Sequence, residues 1–298
     1  MPKSSTHPSF TDYALLTGLA VIFGSSFVFT EISVNEIPPL TVVWLRLTLA
    51  LLMLYPIMRW CKQHLPAWSP VWVFIVGSAL TGNAIPFSLI SWGQTRVDAG
   101  LTAIFMAIMP LTTIVLAHLV TADEKLNRWK VVGVFCGILG IVVLIGPSAL
   151  GGVGDDLVHQ FAILAAAVSY ACNAIITRKL VALPKVPMIV ALILSSTVIM
   201  TPFCLLIDQP WTLEYSSKAS LAILVLAIAP TAFATWLMLV IIDRQGASFL
   251  SQINFMVPLF GVFFAAIFLQ ETLSVNAWIA LMIILVALAL SRHGSRVR

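Results

Sequence analysis

Residues 186–207, VPMIVALILSSTVIMTPFCLLI, run for 22 positions without a charge. Runs of this kind constrain the fold more than any other feature. About 20 apolar residues, rising ~1.5 Å each, cross the hydrocarbon core of a bilayer. Ten such runs lie near 13–32, 40–58, 70–92, 97–121, 130–147, 157–177, 186–207, 219–242, 246–268 and 275–291. The chain is 60% hydrophobic and 9% charged, with a mean hydropathy of +1.03, where a soluble domain carries about 25% charge. So few charges cannot coat a globule of this size, so membrane lipid is the partner of most of the surface. A lipid-facing segment must satisfy its backbone hydrogen bonds internally. A barrel would need alternating strands of roughly ten residues, and these runs are unbroken and longer. The expected class is an all-α polytopic membrane protein with ten transmembrane helices.

The net charge of +4 does not indicate nucleic acid, because the basic residues are scattered through short loops with no stripe or aromatic-basic motif. Cys61, Cys136, Cys172 and Cys204 form no CxxC pair, and three of them sit in apolar runs as packing residues. Met1 to Asp12 is polar, and the run after it has no AxA-like exit, so it reads as a retained span.

Ten spans make the loops alternate sides, and basic residues should then collect on one side. One set of loops holds thirteen of them, from Lys3 to Arg298, against Arg96 and Lys218 in the other set, with Arg46 inside a span. The basic side is expected to be cytoplasmic and to hold both termini, in a bacterial inner membrane.

The fourth and ninth runs resemble each other. AGLTAIFMAIMPLTTIVLAHLVTA (99–122) and ASFLSQINFMVPLFGVFFAAIFLQ (247–270) each place a proline at the twelfth position, 148 residues apart. Pro39 and Pro187, and Ala79 and Ala227, match at the same offset. The repeat unit is therefore five helices. An odd number of spans reverses the chain, so tandem copies lie inverted, a symmetry that lets a site between them open to each side in turn. The expected organisation is a cytoplasmic tail (1–12), a first repeat (13–147), a glycine-rich external linker (148–156), a second repeat (157–291) and a basic cytoplasmic tail (292–298).

FGSSF (23–27), EIPPLTVVWLRL (36–47), DAGL (98–101), MPLTTIVLAHLVTADEKL (109–126) and the glycine-spaced fifth run together resemble the EamA family of the drug/metabolite transporter superfamily. The resemblance covers about 13–291, and within the superfamily the chain is most similar to the YddG group of bacterial amino-acid exporters. It implies ten helices in paired repeats around a central cavity, with efflux of small metabolites. Many members have a tryptophan where Phe23 stands, and a Gly-Glu pair where this chain has Asp123-Glu124 and Gln270-Glu271.

Arg46 is the one formal charge well inside a span, ~9 Å below the end of the second helix. Intramembrane charges are costly and pair or snorkel. The family pattern carries an arginine here whatever the substrate, so Arg46 is expected to be structural, reaching outward to Glu31, Glu36, Asp98 or Glu271. Neutral polar groups are the candidate lining of the cavity: Ser25, Ser26, Thr81, Asn83, Thr102, Asn173, Thr231, Thr235, Ser251 and Gln252. Ser248, Ser251, Gln252 and Phe255 share one helical face. Amides and hydroxyls can bind an ammonium and a carboxylate, while Met106, Tyr170, Trp236 and Phe255 offer an apolar wall. The bland alternative for each is a bond to its own backbone or to a neighbouring helix. Pro86, Pro110, Pro230 and Pro258 free backbone carbonyls inside spans and are candidate hinges. Gly133, Gly137 and Gly140 contain a GxxxG, read as close packing within the monomer rather than a dimer seam, so a monomer or weak dimer is expected.

No Asp, Glu or Lys lies mid-membrane, which points to facilitated diffusion, exchange, or coupling at a rim acid. A phosphate-bearing substrate would call for several inward basic groups. An intramembrane aspartyl protease is the rival class, since residues 152–155 spell GxGD. That enzyme needs the Asp inside a helix with a second Asp beside it, whereas Asp155 falls in the linker. There is no HExxH, His118 and His159 are far apart in sequence, no metal or cofactor is expected, and no charged ring marks a channel. The sequence reads as a carrier of small neutral metabolites, amino acids foremost, with other metabolites or drugs as the alternative cargo.

Overall fold

In the computed structural model, residues 8–121, 126–146 and 155–296 are described. They form ten membrane-length helical spans: α1 Phe10–Val34, α2 Pro39–Trp60, α3 Val71–Gly93, α4 Ala99–Val120, α5 Arg128–Ile145, α6 Asp156–Leu180, α7 Lys185–Asp208, α8 Ser217–Gln245, α9 Ala247–Phe268 and α10 Val275–His293. No strand occurs among the described residues. The expected linker and the Asp123-Glu124 pair fall mostly outside them.

Local chemistry sets the helix ends. Ser9 and Asp12 form a reciprocal capping box that opens α1. Pro39 sits at the start of α2, where its missing N–H costs nothing. Gly146 and Gly246, both at positive φ, close α5 and α8. Each span buries only 28–50% of its most apolar window, so the remaining apolar surface requires lipid as its solvent.

Ten antiparallel crossings give the bundle two ends. The basic end holds the start of α1 and the finish of α10; the acidic end holds Glu31, Glu36, Asp98, Asp208 and Glu271. The glycine face of α5 is occupied inside the chain. A Cβ on Gly133 would meet Ala287 O of α10 at 2.7 Å, and one on Gly140 would meet Ile284 Cγ1 at 2.6 Å.

The helices are broken at corresponding places in the two halves. A wider π turn spans Leu80–Ala84 in α3, just before Pro86, and another spans Ala227–Phe233 in α8, around Pro230. These segments correspond at the 148-residue offset. α4 breaks at Ala107–Ile108, ahead of Pro110, so that Ala99–Met106 and Met109–Val120 are separate helices. At Pro258 the helix Ile253–Phe268 is continuous. The interruption in α9 falls earlier, at Ser251–Gln252, where Gln252 N–H bonds to Phe249 O in a tighter turn.

Candidate functional site

The half of α4 at the acidic end packs on α1, α6 and α9, whereas its other half packs on α5 and α6. The close junction is built from small residues. A Cβ on Gly261 of α9 would lie 2.4 Å from Ala103 Cβ of α4, and one on Gly24 of α1 would lie 2.7 Å from Phe260 Cβ. Cross-half hydrogen bonds lace the same end. Glu271 accepts from the N–H groups of Ala99 (3.0 Å) and Gly100 (2.9 Å), and Glu31 also accepts from Ala99 N–H (2.6 Å). Two carboxylates thus cap one helix N-terminus, where the unpaired N–H groups and the helix dipole favour negative charge. Burial, and then the charge of Asp98, push the Glu271 carboxyl above its usual range. Asp208 accepts from the N–H (2.8 Å) and hydroxyl (2.9 Å) of Thr41. Glu36 accepts from the hydroxyl (2.9 Å) and N–H (3.1 Å) of Ser216, which hold it below the usual carboxylate range. At the basic end, Asp12 accepts from Arg244 (2.7 Å) and Gln245 (2.7 Å), Lys185 pairs with Asp243, and a cleft opens between Phe255, Ala289, Arg292 and His293.

Gln270 aims Glu271 at the seal from a left-handed conformation, φ +56°. Only glycine takes that conformation freely. Gln270→Gly is therefore expected to stabilise the protein by up to about 1 kcal/mol, read as a rise in the unfolding midpoint in detergent.

Arg46 does not reach the acidic rim. It turns inward, because Thr231 and Phe87 offer a hydrogen bond and a ring face between the halves. The side chain is 8% exposed. Its Nε donates to Thr231 Oγ1 at 2.6 Å, and its guanidinium carbon lies 3.9 Å from the centroid of the Phe87 ring. Thr231 in turn donates to Leu226 O (2.7 Å), a carbonyl adjoining the π turn of α8, and Thr235 donates to Thr231 O (2.6 Å). Tyr170 of α6 stands edge-on to Phe87 with centroids 6.5 Å apart. Four spans from both halves thus converge: α2 and α3 from one, α6 and α8 from the other.

Of the residues singled out from the sequence, the structure brings Thr231, Thr235 and Tyr170 to this cluster. The others lie elsewhere. Asn83 donates to Ser196 Oγ (3.0 Å), tying α3 to α7, and Asn173 accepts from Ser78 (2.6 Å), tying α3 to α6. Ser25, Ser26 and Thr81 donate to carbonyls of their own helices, at Ile22, Phe23 and Gly77. Thr102 is 0% exposed and its hydroxyl has no partner among the described residues. Met106 packs into the core, and Phe255 does so beside the basic-end cleft. Ser251 is exposed and bonds to Ser248 O, while Gln252 is half-buried at the break in α9. Trp236 is 47% exposed and lies against Phe233 in a tilted ring pair, near the exposed apolar residues Leu221, Leu224 and Ile228. Phe87 was not singled out from the sequence; nothing in its local pattern marks it.

A model described as the EamA-like transporter family matches residues 12–146 and again 158–292. Over 301 residues the chain is 25% identical to a "Probable amino-acid metabolite efflux pump" of Escherichia coli (strain K12), covering 96% of each. It is 23% identical over 269 residues to the "Uncharacterized transporter YoaV" of Bacillus subtilis (strain 168), covering 88% of this chain and 89% of that one. The "Uncharacterized inner membrane transporter YedA" of Escherichia coli (strain K12) is 23% identical over 287 residues, covering 95% and 90%. A solved structure titled only "Crystal structure of protein" superposes with a TM-score of 0.69 at 18% identity, covering 97% of this chain and 99% of that one; this likeness speaks to fold alone.

Proposed function

Because the chain belongs to the EamA-like transporter family, we propose that it exports small neutral metabolites, including amino acids with apolar or aromatic side chains, across a bacterial inner membrane. One observation carries this reading: the family model matches twice, and each match takes in five spans. Five crossings put the second copy upside down relative to the first, and two such halves can rock about a site between them. The name of the Escherichia coli efflux pump supports an amino-acid cargo, as does the resemblance to the YddG group. The basic loops support a cytoplasmic placement of the basic end and of both termini. In that orientation the laced acidic end is external, and the cleft beside Phe255 loads from inside.

A second cargo class, other metabolites or drugs, is favoured by one observation. Ser25, Ser26 and Thr81 donate their hydroxyl protons to their own helices, leaving fewer donors free for an amino acid's carboxylate. The test is radiolabelled uptake into proteoliposomes with and without each amino acid inside. Saturable, trans-stimulated uptake of neutral amino acids is the expected result. Saturable counterflow of other metabolites alone would transfer the proposal to the second class, and unsaturable flux would replace the carrier with a channel.

A further inference from the structure

An arginine held inside a membrane without an anion is an unusual expense, and Arg46 is in that position. Among the described residues no carboxylate lies within 4.0 Å of its nitrogens. Nε is committed to Thr231, and the ring of Phe87 covers one face of the guanidinium. The end-on edge is left over. The N–H groups of Nη1 and Nη2 have no acceptor among the described residues, although the side chain is more than nine-tenths buried. Neither nitrogen is fully enclosed, and the Tyr170 hydroxyl is likewise without a partner among the described residues and not fully enclosed. The free guanidinium groups at this cluster are donors only, and the Tyr170 hydroxyl can donate beside them.

We propose that Arg46 is the receptor for a carboxylate on the transported solute, bound end-on through Nη1 and Nη2 with the Tyr170 hydroxyl as an auxiliary donor. This rests on the reading of the chain as a carrier of small metabolites. The geometry fits a carboxylate because two parallel N–H groups match its two oxygens in one plane. Phe87 holds that plane by stacking on it, and Thr231 fixes its rotation by taking Nε. A phosphate dianion is a poor match, since a single guanidinium leaves it under-neutralised in a low-dielectric site. A bound carboxylate also neutralises the only mid-membrane charge among the described residues, so the loaded cluster crosses the cycle without a net charge. The site joins α2 of the first half to α8 of the second, so its occupancy is sensed by both halves.

The test uses four matched compounds: phenylalanine, 3-phenylpropanoate (no ammonium), phenylalaninamide and phenethylamine (neither has a carboxylate). Affinity is measured by calorimetry on the purified full-length protein in detergent. Both carboxylates are expected to bind at least tenfold more tightly than the amide and the amine. Arg46→Lys, which keeps the charge but loses the fork, is expected to weaken the carboxylates at least tenfold with an unchanged unfolding midpoint, and Arg46→Gln to remove the preference. Equal affinity for acid and amide, no binding of either carboxylate, or carboxylate affinity within twofold of wild type in both variants would overturn the site. Binding of 3-phenylpropanoate without any amino-acid counterflow would leave the site standing and remove the amino-acid reading. Amino-acid counterflow indifferent to Arg46 would do the reverse.

Discussion

Replacing Gly261 by leucine is expected to cut transport to below about a tenth of the wild-type rate while the protein still inserts and elutes as a single species. A Cβ at this position would sit 2.4 Å from Ala103 Cβ and 3.3 Å from Phe27 Cδ2. Ala103 has no rotamer with which to move aside, so α9 and α4 must separate. α1 cannot absorb the shift, because Gly24 already brings its backbone against Phe260 and Gly261. In lipid there is little hydrophobic gain from pressing helices together, and such junctions rely on small residues and close packing. Overpacking of this kind costs ~1–3 kcal/mol, and each ~1.4 kcal/mol shifts a two-state equilibrium tenfold. In the proposed rocking of the two halves, this cost falls on the conformation in which the junction is packed, so the population moves toward one in which the acidic end is open, and a carrier held there cannot complete a cycle. The readout is a cysteine introduced at Thr102, a buried position behind the junction, in a background with the four native cysteines replaced. A membrane-impermeant maleimide should label it at least tenfold faster when Gly261→Leu is added. Unchanged labelling together with more than half of the transport rate would show that this junction does not gate the acidic end.

The spans were legible because hydropathy over some twenty residues is set by the bilayer and not by tertiary detail. The α7 run and the doubled α4/α9 pattern needed no structure to place them. Bending was half-legible. Pro86, Pro110 and Pro230 do mark broken or widened turns, but at Pro258 the helix is continuous and the interruption falls at Ser251–Gln252. Proline removes a donor, and whether the helix then breaks depends on what its neighbours offer. The site was the least legible part. A side chain as long as arginine reaches either the rim or the interior from the same Cα, and only the placement of Thr231 and Phe87 decides for Arg46. Phe87 is one of 17 phenylalanines in a chain where apolar residues are the background. Trp236 shows the same limit: in a membrane protein exposed aromatics line both cavities and lipid-facing surface, so aromatic character does not distinguish the two.

Raising the pH is expected to loosen the acidic end, and Glu271 is the group that makes it do so. Its carboxyl accepts from Ala99 and Gly100 in a half-buried setting, with Glu31 on the same N–H and Asp98 close by. Burial, followed by the charge of Asp98, raises its pKa above the ordinary value of 4.5. When the end opens, Glu271 is hydrated and the ordinary value returns. A group whose pKa is raised in the closed form contributes to closure fully below the ordinary value, and that contribution is lost as the pH rises through the raised one. Two acids face it: the charge of Asp98 opposes its ionisation, whereas the hydrogen bond from Glu31 favours it. Burial disfavours the ionised carboxyl more than the N–H groups of Gly100 and Ala99 favour it, and half-exposure keeps the difference small, so a several-fold growth of the open population is expected between pH 5 and 8. Spin labels at the exposed Arg96 and Thr272 report it as a pH-dependent growth of a longer-distance population. Glu271→Gln, which fixes the neutral form, should flatten that dependence, whereas Glu271→Ala should show the longer distance at every pH. If the profile persists in Glu271→Gln and vanishes in Glu31→Gln, the titrating group is Glu31. The proton that closes the acidic end then sits on the first half of the chain and not on the second.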